Sequence, residues 1–512
     1  MKALAPAIPE LLSRIDRLRL SNFLKRGEVH KSELGQFFTP LQIANLMASM
    51  FECPFDNVRL LDAGAGIGGL FAAATAALVE RERPPREIEV TAYETDKSLE
   101  EHLHKSATIC AEICRSKKIK FRATICIGDF IKHAVDALNS SLFDKTMSFN
   151  CAILNPPYRK INCDSEVRSL LRRIGIETSN LYTGFLATAI NLLEQRGELV
   201  AISPRSFCNG PYFLPFRRQL LAHTAVRRIH IFDSRKEAFK DDAVLQETVI
   251  FHIVKGGSPS KVLVTSCARR MEPATFASRE MEYNRVVTPG DPNFFIHIPS
   301  DRNADNAALK INKLRLHLED LELFVSTGRV VDFRARRYLR ANPEVDTVPL
   351  IYPAHLCKGI VTWPKQSKKP NAIVACAETA DLLIPNSNYV LVKRFSSKEE
   401  RKRIVAVVYS KDCISCDLVG FENHMNYYHR NGKGLPLILT KGLSVFLNST
   451  PVDVYFRQFN GHTQVNATDL RSFKYPTLKQ LESLGKKIGN SLTDQTAIDA
   501  LVDIEVFKCQ QD

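Results

Sequence analysis

Hydrophobic and polar positions along this chain change rhythm near residue 256. From Val58 to Val254, short apolar runs of strand type alternate with longer stretches of helical spacing. The runs are Val58–Asp62, Ile88–Tyr93, Phe121–Ile127, Cys151–Leu154, Glu198–Ile202, Arg228–Phe232 and Thr248–Val254. Regular alternation of this kind predicts an α/β sheet that is largely parallel. Only a charged loop, Ser234–Asp242, separates the last two runs, which are expected to pair antiparallel at one edge. Residues 1–35 read as helical, and the opening MKALAPAIPELLSRIDRLRL mixes acids and bases with apolar residues. That is a soluble amphipathic helix rather than a signal peptide. The segment Gly256-Gly257-Ser258-Pro259-Ser260 has linker composition. Beyond it the rhythm is lost, and a mixed α+β domain is expected, with helices over 304–320, Ser397–Val408 and Thr477–Leu484. The expected organisation is a helical segment over 1–34, an α/β domain over 35–257 and a second domain over 258–512.

Composition narrows the class. With 512 residues, 45% hydrophobic and 25% charged, the chain is long enough for at least two cored domains. A net charge of +14 fits an anionic partner such as nucleic acid. The thirteen cysteines are scattered and odd in number, which points to a reducing cytoplasm rather than a disulfide framework. Cys413 and Cys416 have C-x-x-C spacing, but no second pair completes a zinc site, so no metal is expected. No run approaches the roughly 20 apolar residues of a membrane helix.

The most informative stretch is Asn155-Pro156-Pro157-Tyr158, directly after the run Cys151–Leu154. Two prolines stop the strand and stiffen the turn. They leave one amide, one main-chain carbonyl and one aromatic ring at a strand's C-terminal edge. Those groups suit a flat, amine-bearing base: Asn155 and the Pro156 carbonyl would accept both N–H hydrogens and aim the nitrogen lone pair, while Tyr158 stacks on the base. Upstream, Leu60-Leu61-Asp62-Ala63-Gly64-Ala65-Gly66-Ile67-Gly68-Gly69 reads as strand, glycine turn and helix start. Gly64, Gly66 and Gly69 match G-x-G-x-x-G, so a nicotinamide dehydrogenase is a rival at this point. Asp62, Glu94 in Tyr93-Glu94-Thr95-Asp96, and Asp129 in Gly128-Asp129-Phe130 fall at successive strand ends, where open α/β sheets bind ligands. Thr39-Pro40, within Gly35-Gln36-Phe37-Phe38-Thr39-Pro40, reads on its own as a helix N-cap.

The set GQFFTP, LLDAGAGIGG, YETD, GDF and NPPY, in this order, resembles the gamma class of N6-adenine DNA methyltransferases, the TaqI-type enzymes of restriction–modification systems. The likeness continues in Asn180–Phe185, Gly197–Pro204 and the 232–251 hairpin, covering nearly all of 35–255. NYVLVKRFSSKEERKRIVA and LNSTPVDVYFRQFNGHTQVNATDLRSFKYP resemble the recognition halves of Eco-type and XhoI-type adenine methylases. The resemblance implies a Rossmann-like class I methyltransferase domain with a mostly parallel seven-stranded sheet, and a DNA-recognition domain behind it. It implies S-adenosylmethionine as cofactor, with Phe37, Thr39, Asp62 and Gly64 near its methionine end and Gly66 also binding it. Glu94 would hold the ribose, Asp129 and Phe130 the adenine, with Phe185 against it. Asn155 and Pro156 would orient the target amine of a flipped adenine, with Tyr158 stacking on one face and Phe239, or Phe232 seven residues earlier, on the other. Asp62 stands where some members carry Glu, a change of length between two acids.

In the second half, Arg336, Arg337, Lys393, Arg394, Asn460, His462, Gln464 and Asn466 are candidate DNA contacts. The 460–466 stretch reads either as a base-reading loop or as a turn held by its own side chains. Arg401-Lys402-Arg403 is expected on a solvated or phosphate-facing helix surface. The expected partner is double-stranded DNA, the protein a monomer, and any cognate restriction endonuclease a separate chain. The other readings are a methyltransferase acting on RNA or protein glutamine, and a non-catalytic DNA-specificity protein.

Overall fold

The computed structural model describes residues 8–25, 38–139, 147–232, 247–267, 276–299, 301–357, 359–396, 400–461, 463–489 and 494–508, with backbone alone at 21–25 and 302. The chain forms two compact units, Met1–Ser300 and Asp301–Asp512.

The first unit begins with helices α1 (Ile8–Lys25) and α2 (Leu41–Ser49). Alternation follows through β1 (Asn57–Ala63), α3 (Gly69–Val79), β2 (Glu87–Glu94), α4 (Glu100–Ser116), β3 (Lys120–Ile127), α5 (Phe130–Asn139) and β4 (Phe149–Leu154). It continues with α6 (Leu181–Leu192), β5 (Leu193–Pro204), β6 (Thr224–Phe232), β7 (Thr248–Lys255), β8 (Val262–Cys267) and β9 (Ala277–Met281). All seven strand-type runs are strands. The sheet order is β3-β2-β1-β4-β5-β7-β6-β8-β9, parallel from β3 through β5. β4 is buried at every residue, the mark of a parallel strand covered on both faces. Helix α3 is alanine-rich and almost wholly buried, so its backbone can lie close to the sheet.

Two expectations change here. β6 and β7 do pair antiparallel, but β7 lies between β5 and β6, not at an edge. β6 then gives its free side to β8 in parallel, and β9 closes the sheet. The Gly256–Ser260 segment is therefore a connection within one sheet, and the compact units part between Ser300 and Asp301 rather than at 257/258. Glycine, serine and proline suit a turn inside a sheet as well as a linker, so composition cannot tell them apart.

The second unit has a six-stranded and a five-stranded sheet, with helices that include Leu437–Leu447 and Thr450–Phe459. The helix expected over 304–320 spans Arg302–Lys313. The one at Thr477–Leu484 is Leu478–Lys486, with Thr477 as its N-cap. The helix expected over Ser397–Val408 is absent where described: Ala406–Tyr409 is a strand paired with Tyr389–Lys393. Charged residues with helical propensity yielded to strand pairing and a buried polar centre. Arg403, read as surface, is 1% exposed. Its Nε donates to Ser396 Oγ at 3.0 Å, its Nη2 to Asn460 Oδ1 at 2.7 Å, and its main-chain N–H to Asp453 Oδ1 at 2.6 Å. Arg403→Ala is expected to cost about 3 kcal/mol, because it strands buried acceptors. Arg401→Ala, at an exposed position, is expected to stay within about 0.5 kcal/mol. Denaturant midpoints of the two variants check the contrast.

Candidate active site

β1 and β4 are neighbours, yet the chain leaves β1 toward β2 on its other side. This reversal of strand order is where open α/β sheets form their ligand crevice. Register places Leu61 opposite Ala152, so Gly64 and Asn155, three residues further along each strand, emerge side by side. A cavity of about 160 Å3 opens there, lined in part by Gly64, Gly66, Glu94, Asp129, Asn155 and Phe185. That is an order of magnitude beyond the roughly 10–15 Å3 needed by one water. By contrast, a void of about 10 Å3 among Phe207, Leu220 and Phe251 is ordinary packing.

The glycine turn is shaped by left-handed backbone. Gly64, Gly66 and Gly68 have φ of +81°, +58° and +88°. A Cβ on Gly66 would lie 3.0 Å from the Phe38 ring, and one on Gly68 would lie 2.5 Å from the Phe71 ring. The pattern match pointed to Gly69 as the third glycine; Gly68 carries the steric demand, whereas a Cβ on Gly69 meets nothing within 4 Å. The spacing of the motif identifies the loop but not which of two adjacent glycines faces the ring.

Acids brace this loop and face the cavity. Glu94 accepts from the N–H of Gly66 at 2.9 Å, Thr95 at 2.8 Å and Asp96 at 2.9 Å. Burial raises its pKa, partly offset by those same N–H groups. Asp129 accepts from Ile131 N–H at 2.8 Å and Lys132 N–H at 3.2 Å at the start of α5. It is thus a helix cap as well as a cavity residue. Phe130 packs on Phe185 with ring centroids 5.3 Å apart, forming one aromatic wall.

Asp62 lies fully buried behind the loop rather than on the cavity lining. Its Oδ2 accepts from Phe71 N–H at 3.1 Å, and its Oδ1 has no partner among the described residues. Burial pushes its pKa up to about 8, against the Phe71 N–H, with the nearby charge of Glu94 adding to the rise. The carboxyl is therefore protonated in the unliganded fold below that pH but ionised in the unfolded chain above about 4. The folded state binds the extra proton, so this group's contribution falls as pH rises from about 4 to about 8, by up to about 1.4 kcal/mol per pH unit. Asp62→Asn is expected to flatten that slope in melting temperatures taken from pH 5 to pH 8.

The NPPY turn is tied to the start of α2. Asn155 Nδ2 donates to Thr39 Oγ1 at 3.0 Å, and Asn155 Oδ1 accepts from Tyr158 OH at 2.9 Å. Tyr158 OH also reaches the Ile202 carbonyl at 3.3 Å, and burial keeps that hydroxyl protonated far above the ordinary range. Thr39 is not the N-cap of α2: Pro40 holds that position, and the threonine hydroxyl is committed to Asn155. Among the described residues no main-chain N–H donates to the Pro156 carbonyl. Asn155 and Pro157 line the cavity, whereas Pro156 and Tyr158 do not. Phe37 and Phe239 lie outside the described residues; Phe38, next to the first, is on the cavity wall.

Residues 70–239 match the family described as Eco57I restriction-modification methylase. The chain is 42% identical over 495 residues to the type II methyltransferase M.PstI of Providencia stuartii, with 96% of each chain covered. The chain belongs to the type II methyltransferases of restriction–modification systems. It is also 43% identical over 501 residues to the type II methyltransferase M.BsuBI of Bacillus subtilis, covering 96% of this chain and 98% of the relative. Among solved structures, a DrdV–DNA complex matches with a TM-score of 0.49 and 13% identity, over 94% of this chain and 60% of that one. As a restriction–modification methyltransferase the enzyme methylates DNA, and S-adenosylmethionine is its methyl donor. The cavity fits that donor: main chain of the glycine turn at Gly64 and Gly66 opens onto it, the strand-end acids Glu94 and Asp129 can accept from hydroxyls and amines, and Phe130 and Phe185 form an aromatic wall.

The candidate DNA contacts of the second unit divide. Arg336 and Arg337 are exposed, with Arg337 resting on the Tyr338 ring at 4.6 Å. Lys393 is ion-paired to Glu400 at 3.0 Å, and Arg394 donates to the Asn423 carbonyl at 3.0 Å. Asn460 is corrected: it is 2% exposed, and besides Arg403 it bonds the Gln464 carbonyl at 2.9 Å. A side chain so held supports the turn instead of reading a base. Asn466 is the N-cap of the short helix Ala467–Arg471, its N–H donating to Asp469. His462 lies outside the described residues. Tyr427 and Tyr428, which precede His429 and Arg430 in the chain, are core residues. Among the described residues no helix is long and apolar enough to cross a membrane.

Proposed function

We propose that the enzyme transfers the methyl group to N6 of an adenine flipped out of double-stranded DNA at a specific site. One observation carries this reading: Asn155, on the cofactor cavity, is clamped between Thr39 and Tyr158 at the end of β4. An amide oxygen has two lone pairs, so Asn155 Oδ1 can accept an amine hydrogen while keeping Tyr158, and the Pro156 carbonyl can take the other. Two acceptors aim a weakly nucleophilic amine lone pair, and alignment supplies much of the rate. The bound donor supplies an electrophilic sulfonium methyl. The new N–C bond forms as the S–C bond breaks, and N6 sheds one proton afterwards, so no strong base is needed. Flipping costs a few kcal/mol, offset by stacking on Tyr158 and, in this reading, Phe239.

The supporting test is transfer of labelled methyl from S-adenosylmethionine to DNA, with hydrolysis showing N6-methyladenine. Label in RNA or protein instead, or a modified cytosine, would overturn the reading. Tyr158→Ala is expected to weaken turnover about 10- to 100-fold through lost stacking and lost support of Asn155, and Tyr158→Phe by less, because the ring stays and only the hydroxyl bond to Asn155 is removed. A fluorescent 2-aminopurine at the target position reports the flipped base in each variant. Exposed Arg336 and Arg337 are proposed phosphate contacts in the second unit. The cytoplasm as its location, a monomeric state and a separate cognate endonuclease complete the reading.

A further inference from the structure

Helix α1, which precedes every sequence motif, forms part of the cofactor cavity. Leu12, Ile15, Asp16 and Arg19 all line it, at the i, i+3, i+4, i+7 spacing of one helix face. Leu11, Leu12 and Ile15 are buried in the core cluster shared with α2 and α3, so the face is held against those helices. Arg19 is only 7% exposed, and its Nε donates to Asp16 Oδ1 at 2.7 Å. The Asp16 carboxylate keeps this guanidinium charged so far out of water and fixes its plane on the cavity wall.

Charge balance indicates what the cavity receives. Its described lining has three acids, Asp16, Glu94 and Asp129, and two cations, Arg19 and Arg159. Arg159 is exposed, so Arg19 is the buried cation on that lining. Glu94 and Asp129 suit hydroxyls and amines and repel a carboxylate, whereas Asp16 is paired with Arg19. S-adenosylmethionine carries one carboxylate, on its methionine arm. Asp129 and Phe130 belong to the β3 end of the crevice. Arg19 stands on the helix that packs against α2 and α3, the two helices that start from Thr39-Pro40 and from the glycine turn.

We propose that Arg19, oriented by Asp16, binds the carboxylate of the cofactor's methionine arm, which makes α1 a working part of the methyltransferase domain. The inference rests on the cofactor assignment and not on the identity of the target base. Asp16 is a positioning residue; Arg19 touches the cofactor. The test compares two ligands by calorimetry on the full chain. S-adenosylhomocysteine keeps the amino-acid arm, and 5′-methylthioadenosine lacks it. Arg19→Ala is expected to weaken S-adenosylhomocysteine about 10- to 100-fold, the range for a charge-assisted hydrogen bond, while methylthioadenosine stays within twofold. Arg19→Lys should fall between wild type and alanine for the first ligand, and Asp16→Asn should lose a smaller factor with the same ligand selectivity. Equal weakening of both ligands would assign α1 a packing role and overturn the proposal, as would no change in either. A wild-type protein that binds neither ligand would instead remove the cofactor assignment, which keeps the two failures distinct.

Discussion

Asn155→Ala is expected to lower methyl transfer by about 10²–10³-fold, the loss found when one positioned catalytic hydrogen-bonding group is removed. S-adenosylhomocysteine affinity should stay within about threefold. The asymmetry follows from the geometry. The loop is held by Gly66, Glu94 and the main chain of Tyr93, whose carbonyl accepts from Gly64 N–H at 2.9 Å and Ala65 N–H at 2.8 Å. None of these bonds passes through Asn155. The amide bonds to Thr39 and Tyr158, which in the proposed mechanism hold it toward an incoming base. Single-turnover methylation and calorimetry on the same preparation check both halves. Turnover within tenfold of wild type would remove Asn155 from the proposed chemistry, and a matching collapse of cofactor binding would make it a structural support.

Gly68→Ala is expected to damage cofactor binding and folding together, costing about 3 kcal/mol of stability and at least tenfold in affinity. Left-handed backbone at φ +88° charges any side chain about 1 kcal/mol. The added methyl would also stand 2.5 Å from the Phe71 ring and 3.0 Å from Ser106 Cβ. Phe71 is fully buried, and its N–H is the donor to Asp62, so it cannot swing aside without disturbing the acid behind the loop. Overpacking of this kind costs 1–3 kcal/mol. Gly69→Ala, with open space around its Cβ and ordinary helical backbone, is the control for stability and should leave the melting temperature nearly unchanged. Melting temperatures and S-adenosylhomocysteine titrations distinguish the two neighbours.

Much of the first unit could be read from residues alone. Seven apolar runs at strand length, the first six separated by helical stretches, leave few arrangements other than a mainly parallel sheet, because the only way to bury such runs is to cover both faces. The site motifs were legible for a related reason. Glycine before a helix, acids at strand ends and a doubled proline each impose a local backbone or chemical state that survives any tertiary context.

What was not legible depended on partners distant in sequence. Nothing in Gly256–Ser260 says that the next strand returns to the same sheet; that is decided by the open side of β6. Nothing in Arg401–Arg403 says that one of three cations is buried, because Ser396, Asp453 and Asn460 must be assembled around it first. The same assembly removes Asn460 from the base-reading candidates. The pairing of Thr39 with Asn155 across 116 positions, and the placing of Arg19 in the cavity, belong to this class too.

The sequence by itself determined the class of sheet, the position of the glycine turn and the rigid turn that ends β4, since local patterns dictate these. Only the tertiary structure decided where the first unit ends, which glycine has no room for a side chain, which polar groups are spent inside the fold, and that the first helix joins the cofactor site. Those outcomes depend on which distant surfaces meet, and burial then sets whether a charged group faces water, a partner or a ligand.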